Sequence, residues 1–187
     1  MMKDSIKLHD LTFKPYLTNA EIEAAIDKVA DKINADFKDK DEVPVFLCVL
    51  NGAVMFTASM MKRLDFNAEL VSMKMTSYQG TTSTGTVLIP LGLTGDVRGR
   101  TVIIFEDVVD TGNTIVALKE LLKSEGARDV RICTMLLKPD VYAKSEKLDY
   151  VGMEIENAFI VGYGLDYAQK YRNLPYIGVL KPEVYSK

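Results

Sequence analysis

The chain holds 187 residues, 48% hydrophobic and 26% charged, with a net charge of −3, one His, two Cys and no Trp. That size and balance fit one soluble globular domain with a full core. His9, Cys48 and Cys133 supply too few soft ligands for a zinc or iron–sulfur site. Both cysteines stand inside apolar runs, as reduced core residues and not as a disulfide framework. The acidic balance argues against a surface built for nucleic acid or for anionic lipid, so neither partner is expected. MMKDSIKLHD lacks the apolar core of a signal peptide and no later run reads as a membrane span, which places the protein in the cytoplasm.

Thr18-Asn19-Ala20-Glu21 has the form of a capping box, and Ile22, Ala25, Ile26, Val29, Ile33 and Phe37 follow at helical spacing. Pro44 then opens Val45 to Leu50, an unbroken apolar run of strand length that suits a strand buried on both faces of a parallel sheet. Asn51-Gly52 breaks it, Ala53 to Leu64 reads as a helix, and a second strand falls around Ala68 to Met75. Met75 to Thr86, rich in Thr and Ser, buries almost nothing and is expected to be a mobile loop. Thr101 to Phe105 and Val130 to Leu137 are further strands, and between them Ile115, Leu118, Leu121 and Leu122 mark a helix that ends near Gly126. That is a βαβ unit, and the fold class is α/β with a mostly parallel central sheet flanked by helices. Phe159-Ile160-Val161 and Tyr176 to Leu180 are two short apolar runs that form a small appendage over one sheet edge.

Ligands of open α/β sheets bind outside the carboxyl ends of the strands, so the turns there carry the chemistry. The strongest is Glu106-Asp107-Val108-Val109-Asp110-Thr111-Gly112-Asn113-Thr114. Successive amides at a helix N-terminus, with small hydroxyl side chains and a glycine, make a phosphate cradle. Three acids beside it would repel a phosphate unless they face ribose hydroxyls or a metal-bound diol. Asp110-Thr111-Gly112 is also the triplet of aspartic proteases, but a single copy leading into a helix lacks the second carboxylate. Gly80 to Gly85 has P-loop spacing, yet Thr86 stands where the lysine belongs. Three other turns stand out: Leu50-Asn51-Gly52, the Met75 to Thr86 stretch, and a C-terminal group comprising Lys138, Phe159, Asp166, Tyr167 and Arg172.

Together these residues resemble the type I phosphoribosyltransferases. Residues 106 to 114 look like their phosphoribosyl-pyrophosphate (PRPP) motif, and Phe159 to Asp166, with Tyr167 and Arg172 beyond, resembles the hood of the hypoxanthine-guanine branch. The resemblance spans roughly residues 40 to 182. It implies a single domain over 1–187, with a core at about 10–145 and a hood mainly at about 150–187 joined by the N-terminal residues. It also implies transfer of a 5-phosphoribosyl group from PRPP to N9 of a 6-oxopurine, hypoxanthine or guanine, with Mg²⁺ required. By this likeness Glu106 and Asp107 face the ribose hydroxyls, and Asp110 is the general acid/base at N7. Thr111, Gly112, Asn113 and Thr114 hold the 5′-phosphate. Lys138 donates to the 6-oxo group, Phe159 stacks on the purine and Ile160 offers its backbone to the base. Asp166 is a Mg²⁺ ligand and Arg172 a pyrophosphate contact. Leu50, Asn51 and Gly52 form the pyrophosphate loop, where relatives often have a non-proline cis peptide. Ser77 and Tyr78 begin a lid. A homodimer or homotetramer is expected, with Val54 to Met61 at the interface by the same analogy.

Asn51 and Thr76 stand where relatives carry basic residues, and Asn113 replaces a frequent Lys. The likeness therefore leaves less side-chain charge around the pyrophosphate. These departures also motivate an alternative, a non-catalytic PRPP- or nucleotide-sensing regulator that binds RNA on the same fold. No dense Lys/Arg cluster with interleaved aromatics accompanies it.

Overall fold

The computed structural model describes residues 5–8, 11–79, 86–91, 93 and 95–180. The rejected P-loop run, 80–85, lies outside them. Six strands form the main sheet: β3 (Val45–Leu50), β4 (Glu69–Gln79), β5 (Thr86–Leu91), β6 (Thr101–Val109), β7 (Asp129–Leu137) and β8 (Tyr150–Glu154), in the order β5-β4-β3-β6-β7-β8. Five are parallel, and only β5 runs antiparallel to its neighbour β4.

Alternation along the central strands builds two cores. Phe46 on β3 and Ile103 and Phe105 on β6 face helices α1 (Asn19–Phe37) and α2 (Val54–Met61), burying Ile22, Ile26, Val29, Phe56 and Met60. Val45, Leu47, Val102 and Ile104 face the other way, onto Ile115, Leu118 and Leu122 of α3 (Asn113–Ser124). These strands are apolar throughout because both faces are covered. Thr18 caps α1 through the expected box: its hydroxyl accepts the Glu21 N–H at 3.2 Å and Glu21 returns a bond to the Thr18 N–H at 2.8 Å. Gly126, at φ 85°, closes α3 as expected. Cys48 and Cys133 are free and buried.

The chain passes from β3 outward to β4, then returns to lay β6 on the other side of β3. The β3/β6 boundary is thus a topological switch point, with α2 and α3 departing to opposite faces and leaving a crevice between the two strand ends. The Asn51-Gly52 turn and the acidic run beginning at Glu106 flank that crevice.

A second, antiparallel sheet has the order β1-β2-β10-β9, built from β1 (Ile6–Leu8), β2 (Leu11–Leu17), β10 (Ile177–Leu180) and β9 (Ile160–Val161). The two late apolar runs, expected as an appendage, pair with each other and with an N-terminal strand that no periodicity marks. Pro15 obscures β2; it is tolerated because it lies opposite Gly178, where the register shifts.

Two expectations change. Met75 to Thr86 is not one long loop: β4 continues to Gln79 and pairs with β5, Tyr78 opposite Val87 and Ser77 opposite Leu88. Thr and Tyr favour strands, and that propensity outweighs the polarity of the segment. Residues 150–154 do not belong to the appendage but complete the main sheet, Tyr150 pairing with Cys133. The Tyr150 hydroxyl is held by Asp36 and Arg131 at 2.6 and 2.8 Å, an anchor invisible to periodicity.

Candidate active site

Strand β6 delivers its acids in two environments. Glu106 is buried, and desolvation, reinforced by the neighbouring Asp107 charge, pushes its carboxyl well above the usual range. Burial likewise raises Asp107 to about 6, against the Val108 N–H that it accepts at 2.8 Å and the pull of Arg172; Asp166 pushes the same way as burial. Asp110, just past the strand, is exposed. Gly112 sits at φ 82° at the N-terminus of α3, and a Cβ there would lie 2.6 Å from the Tyr142 ring and 2.8 Å from Lys144. Thr111, Gly112, Asn113 and Thr114 line a cavity of about 80 Å³ with Glu106 and Asp110. Free amides at the start of a twelve-residue helix, with acids on one wall, suit an anion with hydroxyls attached.

Across the switch point, the Leu50–Asn51 peptide is cis. Gly52 packs so tightly on Asp107 that a Cβ would fall 1.8 Å from its Oδ2, and the Gly52 carbonyl is where a Cβ on Gly164 would fall, at 2.0 Å. Gly164 in turn gives its carbonyl to the Arg172 guanidinium at 2.7 Å. Arg172 pairs with Asp166 at 2.7 Å, and Gln169 holds both, its N–H on Asp166 at 2.8 Å and its side-chain oxygen on Arg172 at 3.2 Å. The pyrophosphate-loop, Asp166 and Arg172 positions thus converge.

Lys138 follows β7 and is buried, its N–H bonded to the Val109 carbonyl at 3.0 Å. Its ammonium reaches Asp110 at 3.4 Å and Asn157 at 3.5 Å. Phe159, two residues past Asn157, keeps 41% of its surface exposed. Tyr167 meets it edge-on at 6.0 Å and Phe13 of β2 lies 6.1 Å away. Ile160 is buried in the core. Ser77 and Tyr78 lie on β4.

The phosphoribosyl transferase domain family matches residues 13–168. The chain belongs to this family, in its hypoxanthine-guanine branch. It is 39% identical to the hypoxanthine-guanine phosphoribosyltransferase of Streptococcus pneumoniae strain R6 over 187 residues, covering all of this chain and 99% of that one. It is also 40% identical over 181 residues to the bifunctional protein TilS/HprT of Listeria innocua, spanning 96% of this chain but only 28% of that longer protein. A solved hypoxanthine phosphoribosyltransferase from Staphylococcus aureus superposes with a TM-score of 0.82 at 35% identity, covering 93% of this chain and 94% of the other.

In this phosphoribosyltransferase, sequence reasoning missed Phe13, Lys144, Asn157 and Gln169. Lys144 lines a cavity of about 500 Å³ with Thr111, Asn113 and Thr114. A larger cavity of about 580 Å³ lies at the opposite ends of the strands, around Asp129 and Arg131. Its cations are largely consumed: Lys119 pairs with Glu146, Arg128 with Glu42, Arg131 with Asp36 and Asp129, and Lys147 with Asp149. It is a salt-bridged groove, remote from the strand ends that bear the acids.

Proposed function

We propose that this transferase moves the 5-phosphoribosyl group of PRPP to N9 of hypoxanthine or guanine, releasing pyrophosphate. The observation that carries the reading is the meeting of Lys138 and Asp110 at 3.4 Å next to the partly exposed ring of Phe159: a donor, an acid/base and a stacking face gathered at one strand end. Lys138 donates to a 6-oxo group but sets donor against donor with the amino group of adenine, so the pocket selects 6-oxopurines. Asp110 exchanges a proton with N7 as N9 becomes nucleophilic. Amides of Thr111 to Thr114 hold the 5′-phosphate, and Glu106 and Asp107 accept from the ribose hydroxyls, which satisfies two carboxyls otherwise desolvated. Arg172 and the loop Leu50-Asn51-Gly52 receive the pyrophosphate, with Lys144 adding charge near the phosphate. Ser77 and Tyr78 begin the lid, and the small sheet serves as hood over the base.

The donor set fits Mg²⁺. Among the described residues no three acids, histidines or cysteines gather to cage a metal, and Asp166 offers one carboxylate beside the leaving-group loop. Mg²⁺ is held in this manner, by one or two carboxylates together with substrate oxygens. When bound, it neutralises charge on the departing pyrophosphate.

Incubation with PRPP, Mg²⁺ and hypoxanthine, guanine, xanthine or adenine tests the reading: IMP or GMP is expected and AMP is not. Absence of nucleotide from every base overturns it, and RNA retention without turnover would favour the regulator. No described helix is long and apolar enough to cross a membrane. The cytoplasmic placement and the homodimer or homotetramer belong to the proposal; sedimentation decides the latter.

A further inference from the structure

Gly162, Tyr163 and Gly164 run consecutively through the left-handed region, at φ 103°, 49° and 100°. Glycine adopts such angles freely, but a tyrosine is held there against its backbone preference. The side chain supplies the hold. The residue is 2% exposed, and its hydroxyl lies 2.8 Å from Ser59 Oγ on α2 and 2.7 Å from Glu23 Oε1 on α1. Glu23 is fixed in turn by Arg63 at 2.7 Å. The Tyr163 N–H donates to the Leu174 carbonyl at 2.9 Å. The next residue, Gly164, rests on the Gly52 carbonyl with no room for a Cβ and exchanges two bonds with Arg172, its carbonyl accepting from the guanidinium and its N–H donating to the Arg172 carbonyl at 2.9 Å.

We propose that Tyr163 is a positioning residue for the leaving-group side of the site, fixing Gly164 against Gly52 and thereby the place of Arg172. This rests on the phosphoribosyl-transfer reading. Tyr163 reaches the loop through Gly164, and the Arg172 segment through Gly164 and the Leu174 carbonyl; its hydrogen bonds go to Ser59, Glu23 and Leu174, not to Lys138 or Phe159. Its loss therefore acts on PRPP and spares the base.

Kinetics of Tyr163→Phe, with both substrates varied, are the test. Loss of a buried hydrogen bond to a carboxylate is expected to raise KM for PRPP about three- to tenfold and to lower kcat, while KM for hypoxanthine stays within about twofold. Ser59→Ala removes one of the two hydroxyl partners and should shift KM for PRPP in the same direction by less; it keeps the test available if Tyr163→Phe does not fold. Calorimetric titration with PRPP and Mg²⁺ reads the same effect without turnover. A general loss of structure would move both KM values together, and that result, or an unchanged PRPP affinity in both variants, overturns the positioning role. Absence of nucleotide from the wild type overturns the transfer reading instead, and PRPP calorimetry still decides the role of Tyr163.

Discussion

The Lys138 ammonium stands 3.4 Å from Oδ2 of Asp110, although 28 positions separate the two in the chain. They meet because β6 and β7 are parallel neighbours that end in register, Val109 opposite Leu137. One chain turn then carries the exposed carboxylate and the next the buried cation.

Asp110→Asn keeps the size of the side chain and removes its charge and its ability to take a proton. Turnover is expected to fall about 10²- to 10⁴-fold, with PRPP binding retained. Initial rates and a PRPP titration check this; turnover close to wild type would refute the acid/base role.

The raised carboxyls make the free protein less stable as pH rises. An acid whose folded pKa lies above its unfolded value binds more protons when folded, so stability is present at low pH and is lost as pH climbs from the ordinary aspartate value toward about 6 for Asp107. Glu106 extends the same loss to higher pH. Asp107→Asn should therefore raise the Tm of the ligand-free protein at pH 8 and leave it nearly unchanged at pH 4. A Tm gain of equal size at both values would sink the explanation.

Two glycines should respond differently to alanine. At Gly52 the obstructing atoms are the end of the Asp107 side chain, which can swing aside, so Gly52→Ala folds but is expected to lose most PRPP affinity. At Gly164 the obstacle is the Gly52 backbone and φ is 100°, so Gly164→Ala should cost about 2–4 kcal/mol of stability. Denaturant melts and PRPP titrations of both variants separate the cases; equal stability of the two would contradict the packing.

Phe159 keeps its ring partly in solvent. Phe159→Ala should cost about 2 kcal/mol of stability, since somewhat more than half of the residue's surface is buried, and raise KM for hypoxanthine about tenfold through lost stacking. Thermal melts and base-dependent rates check the pair of outcomes. A large melt shift with an unchanged KM would mark Phe159 as core.

Local chemistry alone determined the capping box at Thr18, the doubly buried strands Val45–Leu50 and Thr101–Phe105, the helix over Ile115 to Leu122, and the acid-rich run into Thr111 to Thr114. Each is encoded within a few adjacent residues, by side-chain periodicity or by the needs of a helix N-terminus. The contacts of Asp107 with Gly52, Gly164 with Gly52, Lys138 with Asn157 and Phe159 with Phe13 join segments distant in the chain, and only the strand order β4-β3-β6-β7 and the return of β2 beside β10 create them. The strands β2 and β5 escaped reading because Pro15 and Pro90 break the alternation, and the sheet accommodates them at a register shift and on an edge. Burial decided the rest: the same carboxyl groups read as equivalent acids in sequence, and tertiary packing desolvates Glu106 and Asp107 while leaving Asp110 in water.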